Sequence, residues 1–318
     1  MEPSRSSLHL ACAGALALAA GSASPATCQA PPRATQGYVA VNGARLFYEE
    51  AGSGPAVVLV HGGFLDRRMW DREFPWLARD YRVVRYDVRG HGRSQADAVA
   101  FADFEDLRAL LDSLRISRAA VVGLSLGGGI AADFALAYPD RVSALVLVGP
   151  GVVGFPYGGR ELEAYLEDMR AASANGLDAV HAAFVRWWCV GPRRQRGDVA
   201  PEVLAAAEEM VAGSFARRSS LEPLRRGLEP PAYGRLREVR APTLAIAGSL
   251  DMPTILELVD SLVARVPGAR RVEIHGAAHM VNMDRPAEFE AAVRPFLASS
   301  LGLPGSSSRS RGSGPPRT

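Results

Sequence analysis

Cysteine is scarce in this chain: Cys12, Cys28 and Cys189 are the only ones among 318 residues. Three cysteines at these separations match no metal-ligand motif and cannot build a disulfide framework. An excess of charge of either sign is also missing, because 36 basic and 34 acidic side chains give a formal net charge of +2 at pH 7. Proteins that bind nucleic acids usually carry a clear excess of basic residues, which this chain does not have. We therefore expect neither a metal centre nor a nucleic-acid partner.

Long apolar runs are absent outside the amino-terminal end. There, residues 8–20 are mostly apolar, follow Arg5 and precede small residues, which is the layout of a secretory signal peptide with cleavage after Ala23 or Ala26. The run is too short to span a bilayer comfortably, so stable membrane insertion is not expected. The sequence predicts a signal peptide in residues 1–30 and export to the periplasm or the medium. Without a functional signal the protein would be cytoplasmic.

Hydrophobic residues make up 48% of the chain and suffice for a large core. Asn42-Gly43, between two alternating segments, predicts an antiparallel hairpin at the start of the fold. Parallel strands are predicted at 56–60, 81–86, 119–124, 144–148, 243–247 and 271–274. Because helical patterns separate them, we expect an α/β fold: a mostly parallel sheet with helices on both faces and its functional site at the carboxyl edge.

The alternation of strands and helices lapses over residues 151–240. Only helical patterns occur there, so we predict a helical lid inserted into a core of residues 31–150 and 241–300. The Gly-, Ser-, Pro- and Arg-rich residues 301–318 predict a disordered tail.

Two groups of side chains on the predicted lid bear on its role. The aromatic residues predict an apolar wall over the site or a small core of the lid itself. The arginines are expected on a solvated face, with steering of an acidic substrate as the alternative. The two groups are Tyr165, Phe184, Trp187 and Trp188, and Arg186, Arg193, Arg194 and Arg196.

The strand predicted at 119–124 ends in a serine flanked by glycines. In Gly123-Leu124-Ser125-Leu126-Gly127, an apolar run leads through a sharp turn directly into a helical pattern. Such a turn strains the serine backbone and leaves no room for a β-carbon two residues to either side, where the chain has glycine. The pattern indicates a catalytic nucleophile at Ser125, with a simple helix N-cap as the alternative interpretation.

A serine hydroxyl needs a base and an orienting acid to become a nucleophile. Asp251 and His279 each lie on a loop just past a predicted strand, and the chain order Ser125, Asp251, His279 is the order that a nucleophile-elbow architecture requires. His279 would accept the Ser125 proton, and Asp251 would hold the imidazole in the required tautomer. His275, four residues before His279, stays open as an alternative base.

Backbone amides are the candidates for stabilising an oxyanion on an attacked carbonyl. One is the N–H of Leu126, directly after the serine. The other is the N–H of Gly63 in the glycine-rich loop after the strand at 56–60, with Phe64 as the alternative donor on that loop.

Other side chains near predicted strand ends are expected to hold loops. Asp87 has Arg89 and Arg93 close by in sequence, which predicts ion pairs within one glycine-rich loop, and His91 in that loop is expected to be structural. Asp284 precedes an Arg-Pro pair and is expected to begin a helix.

Together these motifs resemble the α/β-hydrolase superfamily over residues 37–299. They are His61-Gly62-Gly63-Phe64, the stretch from Asp87 to Ser94, Gly123 to Gly128, Gly248 to Asp251, and Gly276 to Asn282 followed by Asp284-Arg285-Pro286. The resemblance implies an α/β-hydrolase fold with an eight-stranded sheet and a helical cap after the sixth strand. Within the superfamily, the chain is similar to small lidded ester and lactone hydrolases, such as 3-oxoadipate enol-lactonases and bacterial carboxylesterases. Serine at 125 speaks against the dehalogenases and epoxide hydrolases of the family, which use an aspartyl ester.

We therefore predict a serine hydrolase that cleaves a small carboxylic ester or lactone through an acyl-enzyme, without a metal or organic cofactor. A cofactor-free haloperoxidase (perhydrolase) would carry the same triad and is one alternative. A receptor that binds a ligand without turnover is the other.

Overall fold

The apolar runs of the sequence form the central strands of one sheet. The computed structural model describes residues 33–302, so the predictions for residues 1–30 and for most of the tail lie outside the described residues. The strands in this part are β1 (Thr35–Val41), β2 (Ala44–Ala51), β3 (Ala56–Val60), β4 (Arg82–Tyr86), β5 (Gln95–Ala96), β6 (Ala119–Leu124), β7 (Val142–Val148), β8 (Thr243–Gly248) and β9 (Arg270–Ile274).

The sheet order is β1-β2-β4-β3-β6-β7-β8-β9, and β5 pairs with β2 beside this path. From β4 to β9 along this order all neighbours are parallel, whereas β1, β2 and β4 pair antiparallel. The mostly parallel sheet predicted from the sequence is thus confirmed. The two-residue β5 adds a ninth strand to the eight expected.

Helices cover both faces because the central strands bury both of their faces. Val57 and Leu59 of β3 belong to one apolar cluster, whereas Val58 and Val60 belong to the cluster on the opposite face. The helices are α1 (Glu73–Leu77), α2 (Asp103–Ser113), α3 (Leu126–Ala137), α4 (Arg160–Ser173), α5 (Leu177–Phe184), α6 (Pro201–Leu221), α7 (Ala232–Arg235), α8 (Pro253–Arg265), α9 (Val281–Asp284) and α10 (Pro286–Leu301).

Two helices differ from the sequence pattern, and proline accounts for the first difference. The pattern predicts one helix over 69–77, but the chain forms a 3₁₀ turn at Arg67–Trp70 and then α1. Pro75 lies in α1 and has no N–H to donate to a preceding turn, so a continuous helix would lose a hydrogen bond there. A helix that continues to 188 is predicted after 177, but α5 ends at Phe184 and continues as a π-helix, Val185–Val190.

Between β7 and β8 the chain forms helices α4 to α7 and no strand, and we call residues 149–242 the helical insertion. Its α6 is joined to α2 by Asp103, which receives Arg218 Nη2 at 2.8 Å and Arg225 Nε at 2.7 Å. Burial alone would raise the pKa of Asp103, but the two guanidinium groups outweigh it and lower the pKa to about 2. The sequence predicts Asp103 or an earlier residue as the cap of α2, and Ala102 holds that position.

None of the helices within residues 33–302 combines the length and the apolar character needed to cross a bilayer.

Candidate active site

Ser125 occupies a sharp turn between β6 and α3. Its backbone has φ 55° and ψ −114°, a conformation that costs an L-residue on the order of 1–3 kcal/mol and that the surrounding contacts must impose. A β-carbon on Gly123 would lie 2.2 Å from the Gly127 carbonyl oxygen, and one on Gly127 would lie 2.1 Å from that of Val60. The strained serine and the need for glycine on both sides, predicted from the sequence, are both present in the structure.

The turn leaves the amide of Leu126 available. The Ser125 carbonyl accepts the N–H of Gly129, at 3.0 Å, and of Gly151, at 2.8 Å, which closes the first turn of α3. Within residues 33–302 the Leu126 N–H donates to no protein acceptor. An unpaired N–H at a helix N-terminus favours negative charge next to it.

Asp251 and His279 lie on neighbouring loops at the carboxyl edge of the sheet, the β8 loop (residues 249–251) and the β9 loop (residues 275–280). His279 Nδ1 is 2.8 Å from Asp251 Oδ2, and the two side chains are 2% and 1% exposed. Asp251 Oδ1 accepts the Met252 N–H at 2.7 Å, so both carboxylate oxygens are engaged. Because a carboxylate only accepts, Nδ1 carries the imidazole hydrogen and Nε2 presents a lone pair.

One chain segment brings Ser125 and His279 to the same place. The Ser125 N–H donates to the Val148 carbonyl at 2.9 Å, and the next residue, Gly149, lies against the Asp251–His279 pair. A β-carbon on Gly149 would lie 3.2 Å from both Asp251 Oδ2 and His279 Nδ1. His279 Nε2 is buried and, among the described residues, has no hydrogen-bond partner. An imidazole nitrogen in this state can accept a proton from a hydroxyl brought to it.

The helical insertion covers His279. The ring of Trp188, in the π-helix, lies 4.5 Å from the imidazole centroid, and Tyr165 of α4 packs edge-on against Trp188 at 5.4 Å. Trp187, its neighbour, instead donates to Asp168 within the insertion. Of the four aromatic residues considered from the sequence, Trp188 therefore contacts the site, whereas Trp187 packs within the insertion.

Phe184 connects the insertion to the loop after β3, residues 61–65, which we call the β3 loop. Its ring meets Phe64 edge-on at 5.1 Å, and Phe215 of α6 stacks on Phe64 at 4.2 Å. Gly63 and Phe64 are half-buried, as are Ser125 and Leu126, although most of their neighbours are buried. These four residues form the accessible part of the site.

The β3 loop is joined to the loop after β4, residues 87–94, which we call the β4 loop. The Phe64 N–H donates to His91 Nε2 at 3.1 Å, so the alternative oxyanion donor considered from the sequence is already occupied. The Gly63 N–H has no protein acceptor within residues 33–302 and remains a candidate. A β-carbon on Gly63 would lie 3.8 Å from Leu126 Cβ, so the two residues are neighbours.

Asp87 holds the β4 loop, but with partners other than those expected. It receives the Arg67 guanidinium at 3.2 Å and the backbone N–H of Arg67 at 2.9 Å. Arg93 contributes its backbone amide at 2.7 Å, whereas Arg89 pairs with Asp106 at 2.8 Å. Spacing along the chain could not reveal Arg67, which approaches from the turn before α1.

Arg194 and Asp284 are two further charged residues whose roles the sequence interpretation missed. Arg194 was assigned to a solvated face, yet it is buried and its Nη2 lies 2.7 Å from Asp284 Oδ2. Asp284, which was expected to begin a helix, ends α9 and also accepts the Ala278 N–H at 2.9 Å, next to His279. Arg194 donates as well to the Cys189 and Val190 carbonyls, so it joins the π-helix to the β9 loop.

The other histidines do not replace His279. His275, which the sequence left open as an alternative base, is exposed. His181 of α5 lies edge-on to Phe215 at 5.4 Å. His9 lies outside the described residues.

Comparison with known proteins places this geometry in a family. The family model described as an alpha/beta hydrolase fold matches residues 55–286. The chain belongs to the α/β-hydrolase family. The enol-lactonase from Burkholderia xenovorans LB400 superposes with a TM-score of 0.70 and 27% identity, covering 82% of this chain and 100% of that chain.

Two further similar proteins carry names for different chemistry. A Bacillus subtilis (strain 168) protein, named provisionally as a 2-succinyl-6-hydroxy-2,4-cyclohexadiene-1-carboxylate synthase, is 28% identical over 271 residues, 79% of this chain and 95% of its own. A bromoperoxidase from Bacillus anthracis has a TM-score of 0.72 and 26% identity, and covers 83% of this chain and 99% of its own. The family and its enol-lactonase member support a hydrolase that acts on a small molecule.

Proposed function

We propose that this α/β-hydrolase cleaves a carboxylic ester or lactone through an acyl-enzyme on Ser125. The observation that carries the proposal is the state of His279. Its Nδ1 is held by Asp251 at 2.8 Å, whereas its buried Nε2 has no partner among the described residues and lies on the sheet edge that carries Ser125. That is the arrangement a general base requires.

In the acylation step, His279 Nε2 takes the proton of the Ser125 hydroxyl while the oxygen attacks the carbonyl carbon. The carbonyl oxygen becomes an oxyanion, which the N–H groups of Leu126 and Gly63 stabilise. When the tetrahedral intermediate collapses, the bond to the leaving oxygen breaks and that oxygen takes the proton from His279. A lactone would keep its leaving hydroxyl attached to the acyl group.

In the second step, His279 removes a proton from water as the water attacks the acyl carbon. The intermediate releases the carboxylic acid and returns the proton to Ser125. Asp251 stays ionised and stabilises the imidazolium in both steps. We infer that the helical insertion acts as a lid, since Trp188, Phe184 and Phe215 provide an apolar cover that excludes bulk water.

Replacing the nucleophile tests the proposal directly. We expect Ser125→Ala to abolish hydrolysis of p-nitrophenyl acetate and labelling by a fluorophosphonate, with an unchanged circular dichroism spectrum. Ser113→Ala is the matched control, because that hydroxyl is exposed on α2 and donates only to the Ala109 carbonyl. Turnover by Ser125→Ala would reject the assignment of the nucleophile.

A substrate panel separates this function from its alternatives. The bromoperoxidase neighbour favours testing peroxide-dependent bromination in acetate beside esters and lactones of increasing acyl length. We expect ester or lactone turnover to exceed bromination. The opposite ranking would support a perhydrolase, and fluorophosphonate labelling without turnover of any substrate would support a receptor.

A further inference from the structure

His61 and His91 face each other between the β3 loop and the β4 loop. Both are fully buried, and their ring centroids are 4.8 Å apart at an interplanar angle of 64°. Each of their ring nitrogens lies against a backbone group, and neither ring has a carboxylate within hydrogen-bond distance among residues 33–302. Neither has a place in the acyl-transfer steps.

The hydrogen bonds of the two rings are reciprocal. His61, on the β3 loop, accepts the N–H of Val88 on the β4 loop at Nε2, at 2.9 Å. His91, on the β4 loop, accepts the N–H of Phe64 on the β3 loop at Nε2, at 3.1 Å. Because Nε2 accepts in both rings, Nδ1 carries the hydrogen, which His61 donates to the Gly62 carbonyl at 2.8 Å and His91 to the Arg89 carbonyl at 3.0 Å. Burial lowers the pKa of both histidines, which favours this neutral form.

These bonds hold the backbone on both sides of Gly63. The Gly62 carbonyl, which His61 holds, belongs to the same peptide group as the Gly63 N–H. The Phe64 N–H, which His91 holds, belongs to the next peptide group. Phe64 itself has φ 60°, a left-handed conformation that is costly for an aromatic residue and therefore needs support from its surroundings. With the Phe64 N–H directed to His91, the Gly63 N–H is the amide of this pair that has no acceptor in the described part of the chain.

The β4 loop is in turn held by α6 of the helical insertion. The Gly92 N–H donates to Ser214 Oγ at 3.1 Å, and the Arg89 carbonyl that receives His91 also receives Arg218 at 3.3 Å. His91 therefore has a fixed support on the side away from the β3 loop.

We propose that His61 and His91 are positioning residues that hold the Gly63 amide toward the oxyanion of the reaction at Ser125. The inference rests on the proposed function, because it assumes acyl transfer at that serine. It predicts that the pair affects stabilisation of the tetrahedral intermediate more than binding of the ground-state ester.

The test compares His91→Leu, which loses the acceptor, with His91→Gln, whose amide can accept from Phe64 and donate to Arg89. We expect His91→Leu to lower kcat by roughly 100-fold with KM within about threefold of wild type. Phenylboronic acid, which forms a tetrahedral adduct with a serine, should lose affinity in parallel. His91→Gln should recover most of both losses.

Active-site titration with a fluorophosphonate corrects each rate for the fraction of folded enzyme, and exposed His275→Gln serves as the control. A His91→Leu rate that falls only in proportion to the titrated fraction, or an unchanged boronate affinity, would overturn the inference and assign the pair a purely structural role. A different result would reject the proposed function, namely ester hydrolysis by Ser125→Ala. An inactive Ser125→Ala with a fully active His91→Leu would remove this inference alone.

Discussion

Two regions at the carboxyl edge of the sheet each contain buried histidine, and the two use it differently. In the β8 and β9 loops, His279 has a partner at Nδ1 and none at Nε2 among the described residues. In the β3 and β4 loops, His61 and His91 have partners at both nitrogens. A ring with both nitrogens occupied can hold a backbone but cannot take up a proton without losing a bond.

The carboxylates explain the difference. Asp87 follows β4 much as Asp251 follows β8, but Asp87 is held by the Arg67 guanidinium and by two backbone amides. Asp251 has no arginine partner in the described part of the chain, and its Oδ2 is left to His279. Asp251 can therefore stabilise a charged imidazolium on His279, whereas the carboxylate of Asp87 is used to hold the β4 loop.

Replacing a histidine in each region should show the largest contrast. We expect His279→Gln to lower kcat by roughly 10⁴-fold or more at an unchanged melting temperature, because no other base for the serine proton is assigned among residues 33–302. His61→Gln should retain measurable turnover and lower the melting temperature. The measurements are steady-state kinetics and thermal unfolding, and a stable but inactive His61→Gln would contradict the comparison.

Replacing Asp251 should mainly affect kcat, whereas replacing Asp87 should mainly affect stability. Asp251→Asn should lower kcat by about 10³- to 10⁴-fold with little loss of stability, because the imidazole would favour the wrong tautomer. Asp87→Asn should mainly lower stability, since it removes one of the two carboxylates that pair with the Arg67 guanidinium and leaves the ion pair with Glu49. Near-normal kcat in Asp251→Asn would move the acid elsewhere.

The contact between the helical insertion and the β9 loop should give a smaller effect. Arg194→Met removes the ion pair with Asp284 and loosens the π-helix that carries Trp188, so we expect kcat to fall about tenfold through a less well-placed His279. Arg196→Met is the matched control, because its ion pair with Glu208 is exposed. Equal kinetics for the two variants would show that the insertion does not position His279.

Replacing Asp133 of α3, which lies in neither pair of loops, should alter stability and leave kcat unchanged. Burial raises the pKa of Asp133 to about 6, above its value of 3.8 in an unfolded chain, so ionisation destabilises the fold as the pH rises from 4 through 6. Asp133→Asn should therefore raise the melting temperature at pH 7.5 and leave it nearly unchanged at pH 4. At about 1.4 kcal/mol per pKa unit the gain is on the order of 3 kcal/mol. Lower kcat in this variant would mean that α3 couples the core to the site.

Local features of the sequence were enough to predict the framework of the site. β3 and β6 begin and end where the apolar runs do, and Asn42-Gly43 forms the expected hairpin turn, with φ 43° and 75°. Carboxyl ends of parallel strands meet at one edge, so the positions of Ser125, Asp251 and His279 after their strands were enough to predict that they lie together. Their catalytic roles remain predictions.

Contacts between distant parts of the chain were decided only by the tertiary structure. Which amide of the β3 loop stays available depends on His91, 27 residues from Phe64, and the burial of Arg194 depends on Asp284, 90 residues away. Periodicity and turn residues report the conformation of a few consecutive residues, whereas a hydrogen bond between two loops depends on how the strands beneath them are ordered in the sheet. The sequence alone therefore determined which groups reach the edge, and the packing of loops and insertion decided which of their nitrogens and amides are left to act.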